Sequence, residues 1–186
     1  MAVLKHLAVV QATIFGNSFA AGSALWAAQD APEAVKGVVL LGPIVRDLAP
    51  SFVQKLALSI GFAGPWRVAF WTKYWDSLFP TKKPADHALV KAAIIRNLRE
   101  PGRMDALRAM IGLSEADTAA ILDNTTVQTL IVMGSTDPDF SDANAEAHML
   151  AGKLKAETMI VKGAGHYPHT ERPDQVSPRI LSFLVD

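Results

Sequence analysis

Residues 14–22 read IFGNSFAAG, which joins a short apolar run to a helical pattern through a lone serine, Ser18. The run QATIF (11–15) has the length and the β-branched content of a buried strand, and residues 18–29 have helical spacing. Very few residues are left between them for the chain to reverse direction. Ser18 is then open to two interpretations: a residue that caps the helix, or a nucleophile held on a sharp turn.

The residues around Ser18 are small enough for a sharp turn. A serine in such a turn adopts a strained backbone, and small residues are needed two positions before it and two positions after it. Gly16 and Ala20 occupy those positions, although Ala20 stands where the usual G-x-S-x-G pattern has its second glycine. The turn would raise the Ser18 hydroxyl above the end of the strand and direct the N–H of Phe19 toward an oxyanion on a substrate.

Short apolar runs alternate with longer helical stretches along most of the chain. Runs of this kind suit strands that are buried on both faces of a sheet. The alternation predicts a single α/β domain over residues 1–186, with about four parallel strands and flanking helices. The predicted strands are residues 11–15, 35–41, 129–133 and 157–161, and the predicted helices are residues 18–29, 143–154 and 173–184.

Residues from about 48 to 124 interrupt this alternation and read as several helices separated by proline and glycine. Such a segment is too long for an ordinary crossover, so we predict a helical insertion between two strands. Its first half is rich in aromatic residues, which form the insertion's own core or line an apolar substrate pocket. The residues that we predict for this pocket are Asn17, Trp66, Trp71 and Trp75.

A serine hydroxyl needs a histidine to take its proton and a carboxylate to orient that histidine. His166 stands out among the five histidines because it lies in a glycine-flanked loop after a predicted strand, and His169 is the backup candidate. Asp137 follows the strand at 129–133, and we predict it as the orienting acid, with Asp139 as its rival. Serine, acid and histidine each follow a separate strand, at the sheet edge where ligands of open α/β sheets bind.

Composition and motifs exclude several other classes of function. The chain has 186 residues, half of them apolar, a formal net charge of zero and no cysteine. We therefore expect no nucleic-acid partner, no disulfide and no cysteine-ligated metal. No H-E-x-x-H, P-loop or G-x-G-x-x-G motif occurs, so we expect no cofactor and no metal site. No apolar run reaches the roughly 18 residues of a membrane helix, and we expect a cytoplasmic protein without a membrane partner.

Three segments of the chain resemble the α/β-hydrolase superfamily, in particular its soluble esterases and hydrolases with a helical cap. They are FGNSFAAGSALWAAQDAPEAVKGVVLLGP (15–43), TLIVMGSTDPDF (129–140) and GAGHYPHTERPDQVSPRILSFL (163–184). The resemblance implies Ser18 as nucleophile, Asp137 as orienting acid and His166 as general base. The serine–acid–histidine order is the one found in that superfamily. The resemblance also implies that the helical insertion is a cap.

The resemblance is incomplete before Ser18. In the family the nucleophile follows the fifth strand of a larger sheet, so four strands and the loop with a His-Gly oxyanion motif would be missing here. Only the N–H of Phe19 can then be assigned as an oxyanion donor. The strand at 11–15 would form an exposed apolar edge. We expect a second copy of the chain to cover it in a homodimer, or the N-terminal helix or the cap to lie over it.

These observations predict a serine carboxylic-ester hydrolase that acts on small or medium acyl esters through an acyl-enzyme. The aromatic insertion favours uncharged substrates with hydrophobic groups. Two alternatives stay open. One is a non-catalytic or partner-dependent hydrolase whose oxyanion hole is incomplete. The other is perhydrolase or cofactor-free haloperoxidase chemistry, which the resemblance allows on the same three residues.

Overall fold

The computed structural model describes residues 1–48 and 52–185, which fold around a parallel sheet of four strands. The strands are β1 (Ala12–Asn17), β2 (Val35–Leu41), β3 (Gln128–Gly134) and β4 (Glu157–Val161). They lie across the sheet in chain order, and each neighbouring pair is parallel. Helices connect and flank the strands, so the predicted α/β fold class is confirmed.

Helices pack on both faces of this sheet. In the described residues they are α1 (Ala2–His6), α2 (Ala20–Asp30), α3 (Phe52–Ala63), α4 (Arg67–Ser77), α5 (His87–Leu98), α6 (Arg103–Ile111), α7 (Ala116–Ile121), α8 (Ala143–Leu154), α9 (Pro168–Glu171) and α10 (Pro173–Val185). Val38 and Leu40 of β2 pack in one core with α2 and α8, whereas Val39 and Leu41 pack with α10 on the opposite face. The strands are apolar throughout because both of their faces are covered.

Five helices, α3 to α7, lie between β2 and β3 in the described part of the chain. They have a small core of their own around Phe62, Leu98 and Met104. The insertion predicted over residues 48–124 is helical here, and its residues 49–51 lie outside the described residues. Across the residues that the structure describes, none of the helices combines the length and the apolar content needed to span a membrane.

β1 continues two residues beyond the strand end that the sequence predicts. Gly16 and Asn17 pair with Leu40 and Leu41 of β2, so the Gly-Asn dipeptide completes the strand instead of starting a turn. The direction change is thereby compressed into Ser18 and the residue after it.

The parallel strands bring four connecting segments to one edge of the sheet. Ser18 follows β1, Gly42 follows β2, Asp137 lies three residues after β3, and His166 lies in the loop after β4. The carboxyl ends of parallel strands are where open α/β sheets bind ligands. The fold therefore assembles the predicted serine, acid and histidine in the same region.

Candidate active site

Ser18 occupies the turn between β1 and α2 with a left-handed backbone. Its φ is +56°, a conformation that is unfavourable for a serine. The Ser18 N–H donates to the carbonyl of Leu41 at 3.0 Å, and the Ser18 carbonyl accepts from the N–H of Ile44 at 3.2 Å. The N-cap residue of α2 is Phe19, and among the described residues no side chain caps this helix. Ser18 thus has the backbone of a strained strand-to-helix turn and is not a helix cap.

The turn requires a glycine at position 16. A Cβ atom there would lie 2.5 Å from the carbonyl oxygen of Ala20 and 2.5 Å from the Cα of Ala21, closer than such atoms can approach. Ala20 is exposed to solvent, so its methyl group has room. The crowding explains why Gly16 is a glycine, while the exposure of Ala20 accommodates the departure from G-x-S-x-G.

The first residues of α2 adjoin Ser18. Phe19 has helical dihedral angles (φ −57°, ψ −30°), so its N–H is one of the donors at the positive end of the helix dipole. Asn17 precedes Ser18, and its Nδ2 donates to the carbonyl of Leu41 at 2.7 Å and lies 3.5 Å from the carbonyl of His166. The Asn17 amide therefore ties the end of β1 to the histidine loop.

His166 and Asp137 form a buried hydrogen-bonded pair. Nδ1 of His166 lies 2.8 Å from Oδ2 of Asp137, and both side chains are almost completely buried. A carboxylate only accepts hydrogen bonds, so Nδ1 carries the proton and Nε2 is left as the basic nitrogen. Oδ1 of Asp137 accepts the backbone N–H of Asp139 at 3.0 Å, which fixes the carboxylate plane. Asp137 rather than Asp139 makes the direct hydrogen bond to the ring.

Two carboxylates determine the basicity of His166. Burial by itself lowers the pKa of His166, but the hydrogen bond and charge of Asp137 outweigh it, together with the charge of Asp139. The net result is a pKa raised above the ordinary 6.5. The protonated imidazolium, which is the form a general base produces, is therefore stabilised at this position.

The loop that carries His166 is held by buried hydrogen bonds. The His166 N–H donates to the carbonyl of Leu78 at 3.0 Å, just after α4. The N–H of Gly165 donates to Oε1 of Glu171 at 2.7 Å, and Glu171 is completely buried. A Cβ on Gly165 would lie 2.3 Å from the Leu78 carbonyl oxygen, so the loop and the end of α4 are in close contact.

A tyrosine of α4 reaches the same group of side chains. The hydroxyl of Tyr74 donates to Oδ1 of Asp139 at 2.5 Å, and Oδ2 of Asp139 lies 3.5 Å from Nδ1 of His166. Burial raises the pKa of Asp139, while the charge of His166 and the Tyr74 hydrogen bond oppose that rise. Asp139 is thus a second carboxylate beside the histidine, bonded to a helix of the segment between β2 and β3.

Ser18, Phe19, Asp139 and His166 line one cavity of about 850 Å³. It lies between the carboxyl edge of the sheet and helices α3, α4 and α6, whose contribution to its wall is largely apolar. Of the residues predicted from the sequence to form the pocket, Asn17 and Trp71 line this cavity.

The other two predicted pocket residues, Trp66 and Trp75, lie outside the cavity, and their prediction is corrected. Trp66 precedes α4, is 53% exposed, and donates its Nε1–H to the carbonyl of Ile60. Trp75 is buried and stacks on His87, with ring centroids 4.7 Å apart. It therefore belongs to the packing of α4 against α5 and not to the pocket.

The same cluster contains the groups that could hold a metal ion in the described residues. The side chains of Asp137, Asp139 and His166 each offer a ligand atom, and these atoms lie within 4.8 Å of one another. The Nδ1 of His166 is already bonded to Asp137, and Asp139 is bonded to Tyr74. The donor set fits an acid–base pair with a second acid, and no metal is needed to satisfy it.

Comparison with known proteins agrees with this geometry. Residues 2–179 match the model of the family described as "Alpha/beta hydrolase family". The chain belongs to the alpha/beta hydrolase family.

Relatives of this alpha/beta hydrolase are longer chains. A 2-hydroxy-6-oxononadienedioate/2-hydroxy-6-oxononatrienedioate hydrolase of Pseudomonas sp. is 25% identical over 190 residues, which cover 98% of this chain and 66% of the relative. The 2-hydroxy-6-oxo-6-phenylhexa-2,4-dienoate hydrolase of Rhodococcus sp. strain RHA1 superposes with a TM-score of 0.81 at 18% identity, covering 98% of this chain and 67% of that one. An esterase of Exiguobacterium antarcticum gives 0.79 at 16% identity, covering 99% and 70%.

Sequence reasoning missed two residues of this alpha/beta hydrolase that support the histidine. Glu171 lies in the segment PHTERP, where the sequence does not distinguish it from an ordinary acidic residue on the surface. Its complete burial is seen only in the structure. Tyr74 lies among the aromatic residues of α4, and its contact with Asp139 joins parts of the chain that are 65 positions apart. Helical periodicity places Tyr74 on the same side of α4 as Trp71, and this was the available signal.

Proposed function

We propose that this alpha/beta hydrolase is a serine carboxylic-ester hydrolase in which Ser18, His166 and Asp137 act together. The observation that carries the proposal is the buried hydrogen bond of 2.8 Å between His166 and Asp137. His166 lines the same cavity as Ser18, whose backbone φ is +56°. This arrangement provides a nucleophile, a base whose free nitrogen is Nε2, and a carboxylate that fixes the tautomer.

The reaction proceeds through a covalent acyl-enzyme. Oγ of Ser18 attacks the ester carbonyl while Nε2 of His166 takes its proton, and the resulting imidazolium returns that proton to the leaving alcohol. Water then attacks the acyl group while His166 takes its proton, and the bond between the acyl group and Oγ of Ser18 breaks as the imidazolium returns the proton to Oγ. The N–H of Phe19 donates to the oxyanion of each tetrahedral intermediate, and absence of a second such donor would lower the rate by about 10²- to 10³-fold.

The helical segment over residues 48–124 acts as a cap in this proposal. Its helices α3, α4 and α6 form the cavity wall opposite Ser18, and their apolar side chains suit the acyl or alcohol part of an ester. A cavity of about 850 Å³ has room for small and medium acyl groups.

Charge on the cavity wall supports a preference for uncharged esters. Among the described residues that line the cavity, five carry carboxylates: Asp47, Glu115, Asp139, Asp142 and Glu146. Arg46 is the one arginine or lysine in that set, and its guanidinium is already paired with Glu146 through Nε at 2.8 Å. The Pseudomonas relative is named for a substrate with two carboxylates, which this cavity would repel. The natural substrate is therefore proposed to lack such charges.

Turnover of a chromogenic short-chain ester tests the proposal. Ser18→Ala should abolish hydrolysis of p-nitrophenyl butyrate, whereas Ser23→Ala, an exposed serine on α2, should leave it unchanged. Undiminished turnover by Ser18→Ala would exclude Ser18 as nucleophile.

A second arm compares the wild type on p-nitrophenyl butyrate and on the anionic p-nitrophenyl hemisuccinate at low ionic strength. The anionic ester should react about tenfold more slowly or worse, because like charges several ångströms apart repel by about 2 kcal/mol in a protein environment. Equal rates would remove the charge preference and leave the assignment of Ser18 intact.

A further inference from the structure

Tyr74, Asp139 and His166 form a continuous polar connection between the helical segment and the His166–Asp137 pair. Tyr74 projects from α4 and donates to one oxygen of Asp139 at 2.5 Å. The other oxygen of Asp139 lies 3.5 Å from Nδ1 of His166, the nitrogen that is also bonded to Asp137. Each oxygen of Asp139 therefore faces a different partner, one on the helical segment and one on the histidine loop.

The connection is shielded from water, so its charge is felt strongly. The side chain of Asp139 is 11% exposed and that of His166 is 2% exposed. A negative charge a few ångströms from an imidazole in such surroundings stabilises the protonated ring by far more than it would in water. The backbone N–H of Asp139 also donates to Asp137, which couples the positions of the two carboxylates.

We propose that Tyr74 and Asp139 are positioning residues, through which the helical segment holds a second negative charge against His166. Tyr74 fixes the carboxylate of Asp139, and Asp139 acts on the ring beside Asp137. A displacement of α4 would therefore alter the basicity of His166 as well as the shape of the cavity. The catalytic significance of this inference rests on the proposed role of His166 as general base. The titration that tests it does not depend on that role.

Within the part of the chain that the structure describes, the titratable groups that face this connection come from three segments. Asp137 and Asp139 lie in the segment after β3, Tyr74 lies on α4, and Tyr167 and His169 follow His166 in its own loop and in α9. Burial raises the pKa of Tyr74, and the charge of Asp139 raises it further, so the Tyr74 hydroxyl keeps its proton and stays a donor. Burial lowers the pKa of His169, and the charge of His166 lowers it further.

The titration of His166, followed by NMR of protein labelled with ¹⁵N-histidine, tests the proposal without requiring turnover. His166→Gln identifies the signals. Asp139→Asn should lower the pKa of His166 by about one unit, because it removes one nearby negative charge and retains the shape of the side chain. Tyr74→Phe should lower it by less, because Asp139 loses the hydrogen bond that favours its charged form. Asp139→Ser serves as a second neutral variant if Asp139→Asn does not fold.

A double-mutant cycle separates the proposed coupling from general disturbance. If Tyr74 acts through Asp139, Tyr74→Phe causes no further shift of the His166 pKa in the Asp139→Asn background. The matched control is Ser77→Ala, since Ser77 is exposed and its hydroxyl bonds the Tyr74 carbonyl on the same helix. An unchanged His166 pKa in Asp139→Asn, an unchanged pKa in Tyr74→Phe, or fully additive shifts would each overturn the proposal. Failure of Ser18→Ala to abolish turnover would refute the proposed function and leave this titration result standing.

Discussion

The protonation state of His166 sets the pH dependence that we expect of the proposed ester hydrolysis. A general base works in its neutral form, and Asp137 and Asp139 raise the pKa of His166 above 6.5 despite the opposing effect of burial. Ester hydrolysis, measured as kcat/KM, should therefore decline as the pH falls through a value above 6.5. The exposed His148 is the matched control, and His148→Gln should leave the pH at which kcat/KM declines unchanged. A decline of kcat/KM that begins only well below pH 6.5 in the wild type would contradict the geometry of the His166–Asp137 pair.

Glu171 should affect stability in a pH-dependent way. Its Oε1 accepts the N–H of Gly165, and burial raises the pKa of its carboxyl above the ordinary 4.5 although the backbone N–H groups of Gly165 and Lys82 oppose that rise. Because the folded state then binds this proton more tightly than the unfolded chain, the wild type loses stability as the pH rises from 4.5 through the raised pKa.

Glu171→Gln has no such proton to lose. Its free energy of unfolding should therefore increase relative to that of the wild type as the pH rises over this range. Glu171→Ala should cost about 1–3 kcal/mol, because it leaves the buried N–H of Gly165 without an acceptor. Urea denaturation at several pH values measures both effects. A difference between Glu171→Gln and the wild type that does not change with pH would refute the assignment.

The turn from β1 into α2 tolerates no side chain at its first glycine. Gly16→Ala should destabilise the protein by about 1–3 kcal/mol and displace Ser18, because the new methyl group would overlap the backbone of α2 at 2.5 Å. Gly152→Ala in α8 is the control, since its Cβ would meet no atom within 4 Å, and it should add about 0.5–1 kcal/mol. Thermal denaturation compares the two variants, and equal effects would mean that the turn is less crowded than described.

For some strands and helices, local sequence signals are sufficient to predict where the element begins and ends. The ends that the sequence predicts agree with the structure for residues 35–41, 157–161 and 143–154, each of which is followed by a glycine or a lysine (Gly42, Lys162 and Lys155). The sequence predicts that β1 ends at Phe15, where the apolar run stops, and the Gly-Asn pair that follows favours a turn. It continues to Asn17 because pairing with β2 outweighs that local preference.

Contacts between distant parts of the chain determine the features of the site that the sequence does not predict. Trp71 and Trp75 are one turn apart on α4, yet one lines the cavity and the other stacks on His87. Which face of a helix meets the sheet depends on how the whole segment docks, and periodicity within the helix does not determine it. The burial of Glu171 and the contact of Tyr74 with Asp139 have the same origin.

At the scale of the whole molecule, the edge of β1, which no strand of the described residues pairs, predicts self-association. β1 is the first strand of the sheet, Phe15 on it is 46% exposed, and no residue of α1 is buried. The N-terminal helix therefore leaves Phe15 open to solvent, and pairing of two β1 strands would give a two-fold dimer.

Light scattering should show a homodimer for the wild type. Phe15→Lys should weaken it, because the added charge would lie within the paired edge. Leu181→Lys introduces the same charge on an exposed position of α10 and should not. A monomeric wild type would refute this prediction of the partner and would leave the site unaffected.

The most direct test of the central claim is covalent labelling by a fluorophosphonate, with the modified residue located by mass spectrometry. Only a serine hydroxyl activated by a base reacts readily, so we expect a single label on Ser18. The label should be lost in Ser18→Ala and strongly reduced in His166→Ala. A label on another residue, or labelling of Ser18 that is unaffected by His166→Ala, would contradict the joint action of Ser18 and His166.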